Sequence, residues 1–326
     1  MEHDNQSFVG SAYTVAAFTL WGLLTLYWDL LAHVPAWEVL AHRLFWTCIS
    51  VSALLILSGR WDIPRLLRDA RIRRRLALTG ALLGANWFTY IYAINIGRVL
   101  DASMGYYINP LVSVLLGTIV LGERLSPLQK TAVTFATAGV IIIGVHYGVV
   151  PWIALMLAGT FGFYGLIKKQ MGLPPLTALA AETTFLAPVG LAVVGAVGTT
   201  GDGAFLAAGS GTTFLLLVSG AATALPLYWF AHGASRIPLS RVGFIQYIAP
   251  TIMLLIGVFI FGEPFAVAEG VSFGLIWSGL AVYSASHFAP VKAWENSLAA
   301  RLSSAYPGRM MGNRLSRRQA RRLHRR

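Results

Sequence analysis

Charge is what this sequence has least of. Only 12% of its 326 residues are Asp, Glu, Lys or Arg, while 56% are hydrophobic and the mean hydropathy is +0.65. A soluble globular chain carries about 25% charged residues, so a surface built from this composition could not be wetted all round. The solvent for most of the chain is lipid. Cysteine is nearly missing too. The lone Cys48 sits in an apolar run, which excludes a disulfide framework and a thiolate metal site and leaves a small buried apolar residue. No Walker A phosphate loop is present, no HExxH pair, no Ser/His/Asp set in usable context, and no repeated channel-filter segment. Neither a cofactor nor a metal is therefore expected. The opening MEHDNQSFVG lacks a basic stretch, so the first apolar segment is expected to stay as a helix and not to be cleaved as a signal peptide.

What is abundant is long apolar sequence. Runs with almost no interior charge fall at 11–32, 36–58, 76–97, 101–121, 127–146, 150–168, 176–197, 212–234, 240–261 and 267–288. Each is long enough to cross a hydrocarbon core about 30 Å thick as a helix. The runs are continuous rather than alternating, which argues against a membrane barrel, and backbone polar groups in lipid must be satisfied within the segment. The predicted fold class is an all-α membrane protein of ten transmembrane helices.

The basic residues order these spans. With a cytoplasmic N-terminus, all 25 Lys and Arg except Arg43 and Arg98 fall on the cytoplasmic side. They are concentrated in the 60–75 segment and in the tail beyond 289. The positive-inside rule then puts both termini in the cytoplasm of a multi-pass protein of the cytoplasmic membrane. The 60–75 segment and the tail are expected to meet anionic lipid headgroups, although a tail that merely enforces orientation reads equally well. No aromatics interleave the tail arginines, so nucleic acid is not an expected partner.

The chain also repeats itself. YINP at 107–110 is echoed by YIAP at 247–250, and twelve residues after each proline comes a Gly-Glu pair, Gly122-Glu123 and Gly262-Glu263. FTLWGLL at 18–24 matches GFYGLI at 162–167, and TGALLGA at 79–85 matches SGAATA at 219–224. Five helices per copy is an odd number, so the second copy must enter from the other side. The predicted organisation is a cytoplasmic N-terminus (1–10), a first five-helix repeat (11–146), a second, inverted repeat (150–288) and a basic cytoplasmic tail (289–326). Inverted repeats around a central cavity are characteristic of secondary transporters.

Candidate site residues follow from this frame. Pro110 and Pro250 occupy matching places in helices 4 and 9 and should kink them, with Tyr107, Asn109, Gln246 and Tyr247 supplying polar groups beside the kinks. Arg43 and Glu182 are intramembrane charges, each expensive unless it meets water, a partner or a solute. Both are expected to face the interior about 10 Å apart along the membrane normal. Alternatively Arg43 snorkels outward to Asp29, Glu38 or Asp101. His42, one turn from Glu38, is a candidate for proton coupling, as is Glu182. Trp21, Asn86, Trp87, Tyr90, Tyr106 and Tyr164 give the cavity aromatic and amide character. Trp28, Trp37 and Trp152 are placed for an interfacial role. Gly270 and Gly274 form a GxxxG spacing that would suit an intramolecular contact or a homodimer.

The segments EVLAHRLFW (38–46), NWFTYIYAIN (86–95), DASMGYYINPLVSVLLGTIVLGER (101–124), FYGLIKK (163–169), ETTFLAP (182–188) and VGFIQYIAPTIMLLIGVFIFGE (242–263) resemble a RarD-type permease of the EamA branch of the drug/metabolite transporter superfamily. The resemblance spans about residues 10–290. It implies ten helices in two inverted repeats with the fifth and tenth peripheral, and export or exchange of a small organic metabolite or drug. The arginine-rich tail and Pro264 depart from the pattern. The leading reading is thus a permease and not an enzyme. The reading from another class is an intramembrane lipid-modifying enzyme, which would want acids and histidines clustered at one interface, whereas here they are spread over both halves.

Overall fold

A computed structural model describes residues 2–59, 63–96, 99–148, 152–200, 203–262, 265–286 and 297. Arg60, Arg98, Gly201, Glu263, Pro264 and nearly all of the tail lie outside these, as does the side chain of Asp101. Among the described residues every regular element is helical: α1 (Glu2–Asp29), α2 (Ala36–Leu57), α3 (Ile63–Arg68), α4 (Ala70–Asn95), α5 (Val99–Ile119), α6 (Pro127–Tyr147), α7 (Trp152–Met171), α8 (Pro175–Thr200), α9 (Ser210–Ala234), α10 (Leu239–Gln246), α11 (Ile248–Phe259) and α12 (Val267–Ala285). Among the described residues seven segments are long and apolar enough to cross a membrane: most of α1, then α2, α6, α8, α9, the α10–α11 pair and α12. The chain is an all-helical, multi-span membrane protein.

Three boundaries differ from the sequence reading, each for a physical reason. Residues 2–10, expected as a separate terminus, continue α1 as helix. Helix 3 starts at Ala70 rather than 76, because the arginines at 71 and 73–75 are good helix formers and extend the helix beyond its apolar stretch. Helix 9 is broken at Tyr247 into α10 and α11. Pro250 has no N–H to give the Gln246 carbonyl and its ring crowds that carbonyl, so the helix parts immediately after Gln246. By contrast α5 runs unbroken through Pro110, as α8 does through Pro188 and α9 through Pro226.

Packing pairs helices across the two halves of the chain. α2 lies against α8 and α9, and α4 against α8 and α7. α1 lies against α9 and the α10–α11 pair, and α7 against α4 and α5. α5 also packs on α10, and α6 on α12. Exchanging α1, α2, α4, α5 and α6 in turn with α7, α8, α9, the α10–α11 pair and α12 leaves this pattern unchanged.

Helices in lipid gain no hydrophobic drive toward each other and rely on close contact, and small residues provide it here. A Cβ at Gly220 would stand 2.2 Å from the Trp46 carbonyl carbon, and one at Gly190 2.7 Å from the Ala41 oxygen. α6 and α12 close on Gly139 and Gly279, with the Ser272 hydroxyl donating to the Gly139 carbonyl at 2.8 Å. The GxxxG glycines do not make this contact: Gly274 meets nothing and Gly270 only the Phe265 ring.

The main core lies toward the end of the bundle that carries α3. It gathers Leu55, Leu76, Leu179, Leu227, Phe230, Leu239 and Val242 from α2, α4, α8, α9 and α10. The opposite end, with the 30–35 and 203–209 turns, has smaller clusters among the described residues, around Leu31, Val34 and Leu216 and around Ala93, Ile153 and Leu157.

Candidate functional site

Two clusters of ionisable and aromatic side chains occupy the interior, one around Arg43 and one around Glu182. Each of these residues stands eight positions after a proline at the start of its helix, Pro35 or Pro174. Each proline carbonyl accepts the amide four residues on, from Val39 at 3.1 Å and from Ala178 at 3.0 Å. Helices α2 and α8 cross where Gly190 meets Ala41 and Phe45. Glu182 lies eight residues before that crossing, about 12 Å along α8, so the two charges do not pair.

Arg43 projects where five helices converge. Its Nε donates to Thr223 Oγ1 on α9 at 3.1 Å. Its guanidinium lies over the ring of Trp28 on α1 at 4.5 Å and of Trp87 on α4 at 5.0 Å. The phenols of Tyr27, Tyr90 and Tyr106 are within electrostatic reach, and the rings of Tyr90 and Tyr106 meet edge-on at 6.3 Å. The Tyr27 hydroxyl donates to the Leu215 carbonyl. Among the described residues no carboxylate pairs with Arg43. Glu38 instead accepts the amides of Ala204 and Phe205 through Oε1, at 2.8 and 3.2 Å. Arg43 is half-buried and Tyr106 is 38% exposed, so the cluster is reachable.

Glu182 has the opposite surroundings. It is 0% exposed and accepts Lys168 Nζ at 2.8 Å, Thr79 Oγ1 at 2.8 Å and the Tyr164 hydroxyl at 3.4 Å. Phe161 and Phe230 pack on Tyr164, and Trp21 packs on both, forming an aromatic floor over the pair. Lys168, which the sequence places among the flanking charges, is thus an interior residue with its side chain only 5% exposed. The signal for it was its i+4 spacing from Tyr164, which puts both on one face of α7.

The other candidates divide. Asn86 donates from Nδ2 to the Leu157 carbonyl and to Thr160 Oγ1, both at 2.9 Å, and so ties α4 to α7. His42 is buried, and its Nδ1 accepts Trp46 Nε1 at 3.0 Å while its ring packs on Phe205. It is not hydrogen-bonded to Glu38, whose Oε2 is buried without a partner. Tyr107, Asn109, Pro110, Gln246 and Tyr247 form the seam between α5 and the broken helix. There Ser113 donates to Gln246 Oε1 at 2.9 Å and the Tyr247 hydroxyl to the Tyr107 carbonyl at 3.4 Å. Gly243 lets α10 approach the Pro110 carbonyl. Trp28 lies under Arg43, not in a purely interfacial place, and Tyr27 and Thr223 join the site unannounced by the sequence.

Glu123, of the first Gly-Glu pair, reaches across the bundle. Its carboxylate accepts the amides of Leu239 at 2.6 Å and Ser240 at 2.8 Å, capping the start of α10. Gly122 makes the turn with φ +68°, and Gly262 has the same value. Only glycine adopts this conformation without strain.

Comparison with known proteins decides the family. Residues 8–145 match the model of the EamA-like transporter family. The transporter YojE of Bacillus subtilis (strain 168), itself uncharacterized, is 45% identical over 284 residues, covering 85% of this chain and 94% of that one. Protein RarD of Streptomyces exfoliatus is 40% identical, covering 86% and 90%. The chain belongs to the EamA-like transporter family. A protein of known crystal structure superposes with a TM-score of 0.64 at 20% identity, over 84% of this chain and 96% of that one, a likeness of fold alone. Membership makes the chain a multi-span membrane protein of a bacterial transporter family, with relatives named as transporters and as RarD.

Proposed function

We propose that the chain is a secondary permease that exports or exchanges a small organic solute across the cytoplasmic membrane by alternating access. It does so with ten spans arranged as two inverted five-helix halves and both termini cytoplasmic. The observation that carries the reading is the reachable aromatic chamber around Arg43, where α1, α2, α4, α5 and α9 converge. The main core lies on the α3 side of that chamber. The symmetric helix pairing supports the two halves, and the exposed arginines of α3 and early α4 support a cytoplasmic, headgroup-facing end. Glu182, held by Lys168, is the candidate coupling carboxylate.

Topology is tested in cells carrying Cys48→Ser with a single new cysteine. Leu206→Cys, 76% exposed in the far turn, should react with an impermeant maleimide applied from outside, and Asp69→Cys should not. Labelling of both or only of Asp69→Cys would refute the orientation. For coupling, Glu182→Gln should flatten the pH dependence of flux in proteoliposomes, and an unchanged profile would exclude that carboxylate.

A further inference from the structure

We infer that the solute is an organic anion, a carboxylate or phosphate monoester on an apolar body, whose acidic group docks on the Arg43 guanidinium. The inference rests on the permease reading and names its substrate class.

A guanidinium has five N–H donors. Arg43 spends its Nε on Thr223, and among the described residues neither Nη group has a hydrogen-bond acceptor. Those Nη groups form the fork that matches carboxylate and phosphate oxygens in two parallel bonds. Taking such a group out of water is costly unless an opposite charge or a polar partner replaces the water. The faces of Trp28 and Trp87 return part of that cost through cation–π contact, but they supply no hydrogen-bond acceptor. Of the other interior charges described, Lys168 and Glu182 cancel each other, and the Glu38 carboxylate turns to the amides of Ala204 and Phe205 rather than to Arg43. Among the described residues no ion pair offsets the Arg43 guanidinium, and a cationic solute would be repelled from it. The hydroxyls of Tyr90 and Tyr106 have no partner among the described residues and can donate to the same anion. The rings of Trp28, Trp87, Tyr90 and Tyr106 offer apolar faces for the rest of the molecule.

The test uses purified full-length protein and matched probes with one phenyl body: 3-phenylpropionate, phenyl phosphate, 3-phenylpropionamide and 3-phenylpropylamine. Binding is read by tryptophan fluorescence, since Trp28 and Trp87 flank the guanidinium, and by calorimetry. At least one acid should bind at least about tenfold more tightly than the amide, the step expected for a charge-assisted hydrogen bond, and the amine should not bind. The better of the two acids tells carboxylate from phosphate. Arg43→Met should erase the preference for acid over amide, and Arg43→Lys should restore part of it. Equal binding of acid and amide, preference for the amine, a preference that survives in Arg43→Met, or no acid binding at millimolar concentration would each overturn the anion assignment. Amine binding followed by uptake into proteoliposomes would overturn it while leaving the permease standing. An acid that binds as expected but is never moved would do the reverse.

Discussion

Arg43 and Glu182 hold the same register in α2 and α8, yet the protein treats them in opposite ways. Glu182 is sealed, paired with Lys168 and bonded by Thr79 and Tyr164. Arg43 is reachable, lies on tryptophan faces and has one hydrogen bond to a threonine. The first arrangement satisfies its charge within the fold. The second leaves donors to spare. An intramembrane charge is therefore better judged by its partners than by its depth.

The largest effect should come from splitting the sealed pair. Glu182→Gln or Lys168→Met alone leaves an uncompensated buried charge and should cost about 3–5 kcal/mol of stability. Lys168→Met combined with Glu182→Gln should recover most of that, because two neutral side chains need no counter-charge. Unfolding midpoints of the three variants check this, and additive losses would show that the two residues do not act as a pair.

Next come the glycines at which these helices are crossed. A methyl at Gly220 would meet the Trp46 backbone at 2.2 Å, whereas one at Gly80 would stand 3.2 Å from the Glu182 carbonyl. Gly220→Ala should thus cost more than Gly80→Ala, on the order of 1–3 kcal/mol for an overpacked contact. Thermal melts of the two variants would break the comparison if their order were reversed.

A smaller effect belongs to Glu123. Glu123→Gln keeps an oxygen for one of the two capped amides but loses the charge at the start of α10. A loss of about 0.5–2 kcal/mol is expected, read as the same modest drop in melting temperature at low and moderate salt, since the carboxylate is shielded by the helix it caps. A gain in stability would contradict the capping role.

Much of this was legible in the sequence because it depends on composition and spacing. Apolar runs and charge placement gave the helices, and the echo of YINP in YIAP located the α5–α10 seam. Arg43, Trp87, Tyr90 and Tyr106, each a cavity candidate from the sequence, lie in one cluster. The rest depends on which helices pack together, and that has no local signature. Lys168 looked like a flanking charge because its neighbour Lys169 is one, reaching the carbonyls of Ala234 and Ile237. Trp28 looked interfacial because only α2 packing against α9 carries Arg43 over it. Proline alone did not tell a broken helix from a continuous one: Pro250 breaks its helix, while Pro110, Pro188 and Pro226 do not.

The measurement that bears most directly on this contrast needs no knowledge of the solute. Arg43→Met and Glu182→Gln are purified side by side and their unfolding midpoints compared with the parent protein. Arg43→Met removes a charge that the fold itself does not satisfy while keeping most of the apolar stem, so it should melt at or above the parent. Glu182→Gln should melt well below it. An Arg43→Met protein that is strongly destabilised beside a Glu182→Gln protein of unchanged stability would contradict the contrast between an Arg43 left for solute and a Glu182 whose charge the fold itself satisfies.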